Sequence, residues 1–392
     1  MPQRGKNAAA RGLIVFFIPF GSTERRGQIV ADVTVGGGVS VNITNPGLAK
    51  EIGNAVQRQV GAHIAGTDEP RYPDGTDSVP SGSGNPGFWN VLYSDVSTDV
   101  VLTASDRIDA IVDAGTGNDT LTGGAQTQII IGNNGNDVIN TGRSTTILTG
   151  TGDDTLNLSN LTAGNVVDNI YGDDAATINV GAGVDTINLF TIDALVNTTD
   201  AGTVVNLRTS SDVTIEGAGA SVHGVGNDTI SLDASAGPVT VTDKGSATVL
   251  GGSDVNGFEF KGGSGNDSVV AGSGATTLIG GSGKEFLQGG SGDLVFHGGT
   301  GANTVVAGLG ASTLNGGASA TSNLYVFDTQ AGGVANGTAE IFNWVQGRDS
   351  ISLGAGEATQ SITTSGGGAT ITLTDGTKIV VHGAFNPTGG IS

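Results

Sequence analysis

From Gly262 to Leu324, aliphatic residues return every nine positions. The units read GGSGNDSVV, AGSGATTLI, GGSGKEFLQ, GGSGDLVFH, GGTGANTVV, AGLGASTLN and a decayed GGASATSNL. The eighth position of the first six is Val269, Leu278, Leu287, Phe296, Val305 and Leu314. Fixed self-similarity of this kind predicts a solenoid, in which each unit adds one short strand and turns one side chain into a shared core. The glycine-rich half of each unit can turn sharply, and the β-branched or aliphatic half can form the strand. An earlier block over 114–158 follows the same scheme, with one eight-residue unit, TGRSTTIL. Its inward positions are read as Leu121, Ile130, Ile139, Leu148 and Leu156. Between 159 and 222 the period blurs. Ile178 and Ile187 still stand nine apart, and strand-like runs persist at 203–207 and 212–215, so the solenoid is expected to continue with irregular coils.

Outside the repeats the pattern changes. Residues 31–35 and 39–43 alternate as strands do. Residues 47–64 place Leu48, Ile52, Ala55, Val56 and Val60 at helical spacing, which predicts the one helix. Four prolines with many Gly, Ser and Asp over 65–88 read as a linker or long loop. Strand-like alternation from Trp89 to Leu102 leads into the repeats, with Trp89 and Tyr93 expected to cap the core. Past residue 324, strands are predicted at 324–327, 341–344, 351–353, 369–373 and 378–381, with a hairpin turn over Thr374–Thr377. A solenoid end exposes apolar core and unpaired edges, so a terminal cap is expected on physical grounds. The predicted class is all-β, a parallel β-roll or β-helix solenoid over 101–324. An N-terminal anchoring or assembly region over 1–100 precedes it, and a β-rich cap over 325–392 follows.

The repeat resembles the nonapeptide G-G-x-G-x-D-x-U-x of RTX proteins, the haemolysin-type calcium-binding repeats. The resemblance is sharpest where an acid closes the motif: GTGND at 115–119, GNNGND at 132–137, GTGDD at 150–154, GVGND at 224–228 and GGSGND at 262–267. GAGVD at 181–185 is a weaker copy. With gaps it covers roughly 105–324, a little over half the chain. The resemblance implies a calcium-dependent fold and export through a type I channel, guided by an uncleaved signal in the region after the repeats.

Composition sharpens this picture. The formal charge is −21, from 16 basic and 37 acidic residues. Residues 1–71 hold eight of the bases against five acids, which leaves eight bases against 32 acids in the remainder. Such a body repels nucleic acid and anionic lipid and attracts divalent cations. The chain has no cysteine, so it has no disulfide framework, thiolate site or cysteine nucleophile. No apolar run approaches the roughly 20 residues of a transmembrane helix. The segment 13–20 (LIVFFIPF) follows three bases and imitates a signal peptide. It holds Pro19 and is followed by Glu24-Arg25-Arg26, so it is read as a strand or an anchor.

Ca²⁺ takes roughly six to eight oxygen ligands. Glycine-rich turns can aim backbone carbonyls inward, and an acid at the sixth position adds charge. In a β-roll two nonads make one coil, so equivalent turns on one edge lie about 18 residues apart. Asp119 to Asp137 is 18, Asp137 to Asp154 is 17 across the short unit, and Asp267 to Glu285 is 18. The intervening sixth positions, Gln128, Thr276, Leu294 and Ser312, are not acidic. The spacing therefore predicts a calcium column on one edge, in two blocks, fading where Asn303 replaces the acid. The candidate metal residues are Asp119, Asp137, Asp154, Asp185, Asp228, Asp267 and Glu285. Gly115, Gly117, Gly132, Gly135, Gly150, Gly152, Gly263 and Gly265 are the candidate carbonyl or turn positions.

The chain contains neither HExxH nor GxSxG, and its four histidines are scattered. The expectation is a protein that is not an enzyme. It resembles bacterial surface-layer and biofilm-matrix RTX proteins: secreted to the exterior or surface of a Gram-negative cell, folding on Ca²⁺ and self-assembling, with a cell-surface polysaccharide as a second partner. Alternatives are a carbohydrate-active enzyme or polysaccharide-binding module on the solenoid, and an ice-binding adhesin. The broken Thr and Asn ranks of GTGDD and GTGAN argue against the last.

Overall fold

The computed structural model describes strand residues 31–35, 39–43 and 76–78. It also describes residues 91–392 apart from 95–96, 105–107, 109, 114, 159–166, 173, 191, 200–201, 218, 234–237, 253–255, 318–321 and 329–334. The apolar run 13–20, the helix expected over 47–64, Trp89 and the Tyr93 side chain lie outside the described residues.

Two long sheets face each other across one core. The first holds 15 strands, from Thr76–Ser78 to Ser350–Leu353. The second begins at Val91–Ser94 and reaches Ala339–Phe342 through parallel pairs. The chain alternates between the sheets, so each circuit adds one parallel strand to both. This is the expected all-β solenoid. Pairing extends further toward the N-terminus than the repeat does: Thr76–Ser78, inside the stretch read as a linker, lies parallel to Val101–Thr103.

The inward side chains are those that the nine-residue period selects. Val269, Leu278, Leu287, Phe296, Val305 and Leu314 are all fully buried and belong to one continuous core, as do Ile178 and Ile187 in the blurred region. One inward reading needs correction. Ile147, not Leu148, stands in register with Ile130 and joins the core. The residue missing from TGRSTTIL is lost from the turn, so the strand keeps its phase and Leu148 faces outward beside Ile131 and Tyr171. That outer face is covered as well, because Val112, Ile129 and Ile131 are buried although they alternate with core residues.

From the end of the first block into the blurred region, asparagines on the strands link coil to coil. On the first sheet Asn157 donates to Asn140, Asn179 to Asn157 and Asn197 to Asn179, each at 2.8 Å. On the second, Asn188 donates to Asn169 and Asn206 to Asn188, each at 3.0 Å, and Arg208 caps Asn188 Oδ1.

Beyond the last coil the second sheet continues by antiparallel strands. Lys378–Val381 pairs parallel with Ala339–Phe342, then antiparallel with Gly368–Leu373, which pairs with Thr359–Ser365. The predicted turn at 374–377 forms, with Asp375 accepting from the Thr377 N–H at 2.7 Å. Thr359–Ser365 was not foreseen: its mostly exposed residues (TQSITTS) carry no apolar alternation. The strand predicted at 341–344 spans Ala339–Phe342 instead.

Because each inward residue fills one layer, Phe296→Ala should cost about 3–5 kcal/mol. Exposed His297→Ala should leave the denaturation midpoint unchanged. Urea unfolding in saturating calcium measures both.

Candidate metal centre

Six of the turns from the second sheet into the first present a buried acid at the start of the incoming strand. Asp119, Asp137, Asp154, Asp228, Asp267 and Glu285 all lie on this edge and are at most 2% exposed. They form a ladder. The N–H of the equivalent residue one coil earlier donates to each acid: Val100 to Asp119 Oδ1 (2.6 Å), Asp119 to Asp137 Oδ1 (2.8 Å) and Asp137 to Asp154 Oδ1 (2.8 Å). The second block repeats this with Ser211 to Asp228 (3.0 Å), Ala247 to Asp267 Oδ1 (2.8 Å) and Asp267 to Glu285 Oε2 (2.8 Å).

The ladder uses only one oxygen of each aspartate. The Oδ2 atoms of Asp119, Asp137, Asp154 and Asp267 are buried with no donor. The ion pairs among the described residues, Lys261–Glu259 and His382–Glu340, are exposed and involve none of these acids. A buried carboxylate without a donor or a cation is costly, so it must bind either a proton or a metal. Burial pushes Asp137 up to about 7, with Asp154 and Asp119 nearby adding to the rise. Burial likewise raises Asp154 to about 6 against the hydrogen bond from Asp137. It also raises Asp228 and Asp267, and takes Glu285 to about 7.

The glycines leave room around these oxygens. A Cβ on Gly132 would collide with Asp137 Oδ2, one on Gly262 would lie 2.6 Å from Asp267 Oδ2, and one on Gly117 would lie 2.8 Å from Asp119 Oδ1. The fourth motif position stacks backbone on backbone: side chains at Gly135, Gly152 and Gly265 would strike the carbonyls of Gly117, Gly135 and Gly245. Gly135 and Gly152 also hold φ of 130° and 126°, which disfavours L side chains. Gly150 stacks on the carbonyl of Asn133, and Gly263 lies 2.7 Å, measured from its would-be Cβ, from the carbonyl of Asp243. Gly115 donates to Asp113 Oδ2 at 3.0 Å. Turns walled by carbonyls and edged by unpartnered carboxylate oxygens suit a hard cation. Among the described residues no three acidic or imidazole side chains converge on one point, so an ion held here draws the rest of its shell from the backbone.

Where the acid is replaced, the ladder continues without charge. Glu285 is long enough for Oε1 to accept from Gly281 N–H at 3.4 Å as well. Asn303 accepts from Glu285 N–H (3.2 Å) and donates to Gly301 O and Asn323 Oδ1. Asn323 then accepts from Asn303 N–H and donates to Asp349, whose Oδ2 takes the Val345 N–H.

Asp185 does not share this edge. It precedes Thr186–Phe190 of the second sheet and so sits at the opposite turn. Sequence reading missed its neighbour Asp168, which is buried, accepts from Thr145 N–H at 2.8 Å and is raised to about 7 by burial and by Asp185. Asp113 and Asp243 were missed too. Both close strands of the second sheet and face the acid ladder. Burial, with Asp119 alongside, lifts Asp113 to about 8; burial, with Asp228 and Asp267 alongside, lifts Asp243 to about 7. The available signal was an acid directly after an apolar run, which no glycine motif marks.

The family model for the RTX calcium-binding nonapeptide repeat matches in four copies, over residues 109–139, 261–293 and 297–320. The chain carries RTX nonapeptide repeats over these stretches. RTX nonapeptide repeats bind Ca²⁺, and the unpartnered oxygens of Asp119, Asp137, Asp154 and Asp267 fit such an ion. No curated protein matches the chain. Among the described residues no helix is long and apolar enough to cross a membrane.

The raised carboxylates fix the pH dependence of the calcium-free solenoid. The native state binds more protons than the unfolded chain between the ordinary value of 3.8 and the native values of about 6 to 8. Their stabilising contribution is therefore present below pH about 4 and is lost as pH rises through about 6–8. Without calcium, the β signal by circular dichroism should be stronger at pH about 5 than at pH about 8. Saturating calcium should remove most of that difference.

Proposed function

We propose that this RTX protein is a calcium-triggered structural protein that works outside the cell and assembles with copies of itself. The carrying observation is the ladder of buried carboxylates with unpartnered oxygens, which makes the ordered solenoid conditional on a cation. In the proposed sites Asp119, Asp137, Asp154, Asp228, Asp267 and Glu285 supply charge, and the motif glycines supply carbonyls and close turns. Asp185 serves a separate site on the opposite edge. Inside a cell, where free calcium is low, the repeats stay open; calcium at extracellular levels closes them.

Two surface features support self-association. The outer face of the first sheet carries Leu250 and Phe286, 42% and 43% exposed, with half-buried Val270 and Val306 between and beyond them. Thr359–Ser365 forms a mostly exposed edge of the second sheet, and exposed edges are templates for a further strand. The acidic body repels its own copies, and calcium screens or bridges that repulsion.

Circular dichroism should show a largely disordered repeat region in EDTA and a β spectrum after calcium is added. Asp137→Ala should lower the number of bound ions by calorimetry, because Asp137 lies between Asp119 and Asp154 in the ladder. A spectrum indifferent to calcium would sink this reading. Light scattering and electron microscopy of the full chain with calcium should show sheets or filaments. Phe286→Ser with Leu250→Ser should weaken them without altering the calcium response. A protein that stays monomeric at high concentration in excess calcium would redirect the assignment to binding a cell-surface polysaccharide.

A further inference from the structure

Between Asp228 and Asp267 the acidic edge lacks its motif acid. The position equivalent to Asp267 in the preceding coil is Ala247, whose N–H donates to Asp267. The carboxylate stands instead at the other end of that turn. Asp243 closes the strand Val239–Asp243 and pairs in register with Gly224 of the coil before. Continuing the pairing of Thr242 with Lys261 sets it opposite Gly262, the first glycine of GGSGND. Asp243 is 1% exposed, and neither of its oxygens has a hydrogen-bond donor.

Its Oδ1 and the Oδ2 of Asp228 face the same point. A Cβ on Gly224 would strike the first and lie 2.5 Å from the second. The Asp228 oxygen accepts a long hydrogen bond from Gly226 N–H, at 3.3 Å. Backbone carbonyls of Val225 and Gly226 line the adjoining turn, where they crowd the would-be Cβ of Gly245. Two carboxylates of successive coils aimed at one buried point cannot both stay charged unless a cation lies between them. Asp113 repeats the arrangement at the first block. Its Oδ1 is buried without a donor, in the turn that ends at Asp119.

We propose that Asp243 and Asp228 form a calcium site built differently from the nonapeptide sites, with one acid supplied from a strand end rather than from the sixth motif position. This site carries the ion column across the turn that holds Ala247. The proposal rests on the calcium reading above.

Calcium binding to the full-length protein by isothermal titration calorimetry, followed in parallel by circular dichroism, tests it with Asp243→Asn, Asp267→Asn and the exposed Asp212→Asn. Asp243→Asn should lose one equivalent of calcium or raise the calcium midpoint at least tenfold. In EDTA it should also raise the residual β signal by circular dichroism, because a buried unpaired charge has gone. Asp212→Asn should do neither. Wild-type stoichiometry and midpoint in Asp243→Asn, with calcium lost in Asp267→Asn, would overturn the site and leave the calcium reading standing. Loss in neither variant would overturn both. Should Asp243→Asn fail to fold in saturating calcium, Asp243→Asn combined with Ala247→Asp decides. A folded double variant with the wild-type number of ions supports the site; one that is short of an ion, or unfolded, overturns it.

Discussion

The structure depends on a carboxylate that is half used. At Asp119, Asp137, Asp154 and Asp267 one oxygen takes the backbone N–H of the coil before, and the other is held where nothing donates to it. The first bond fixes the register between coils. The second oxygen makes that register expensive unless a positive charge arrives. A hydroxyl or amide in place of the acid would hold the coils together unconditionally, and Asn303 and Asn323 do so. The chain thus mixes conditional and unconditional joints on one edge, and their ratio sets how strongly order depends on the ion.

Glycine makes the arrangement possible sterically. The turns stack so closely that a side chain at the fourth motif position would enter the carbonyl of the coil below, as at Gly135 on Gly117. The same closeness brings carbonyl oxygens of neighbouring turns within reach of one ion. Packing and ligation are therefore one constraint seen twice. The aliphatic layer beneath contributes burial, roughly 1.5–3 kcal/mol for each side chain, which does not depend on metal.

Much of this was legible in the sequence. The period located the core from Val269 to Leu314 residue by residue, because in a solenoid an inward position recurs whenever a coil closes. It failed at Leu148, where a deletion had to be assigned to strand or turn and only the register with Ile130 decides. The motif acids on the ladder were visible through their glycines. Asp113, Asp168 and Asp243 were not, since each belongs to a strand rather than to a glycine motif and no local pattern distinguishes it from a surface acid. The edge taken by Asp185 was also hidden: the blurred coils between 159 and 222 break the count that links it to Asp154. Thr359–Ser365 escaped because a strand exposed on both faces has no alternation to read.

The asparagine rows of the middle coils have a consequence for ancestry. Each amide joins the same residue type one circuit away, always in the same sense, from Asn197 down to Asn140. A duplicated circuit inserted anywhere in such a row finds a matching acceptor on one side and a matching donor on the other. A fraction of a circuit finds neither. The molecule can therefore change length by whole coils during evolution without redesigning its cross-section, and the number of coils is free to vary where their shape is not.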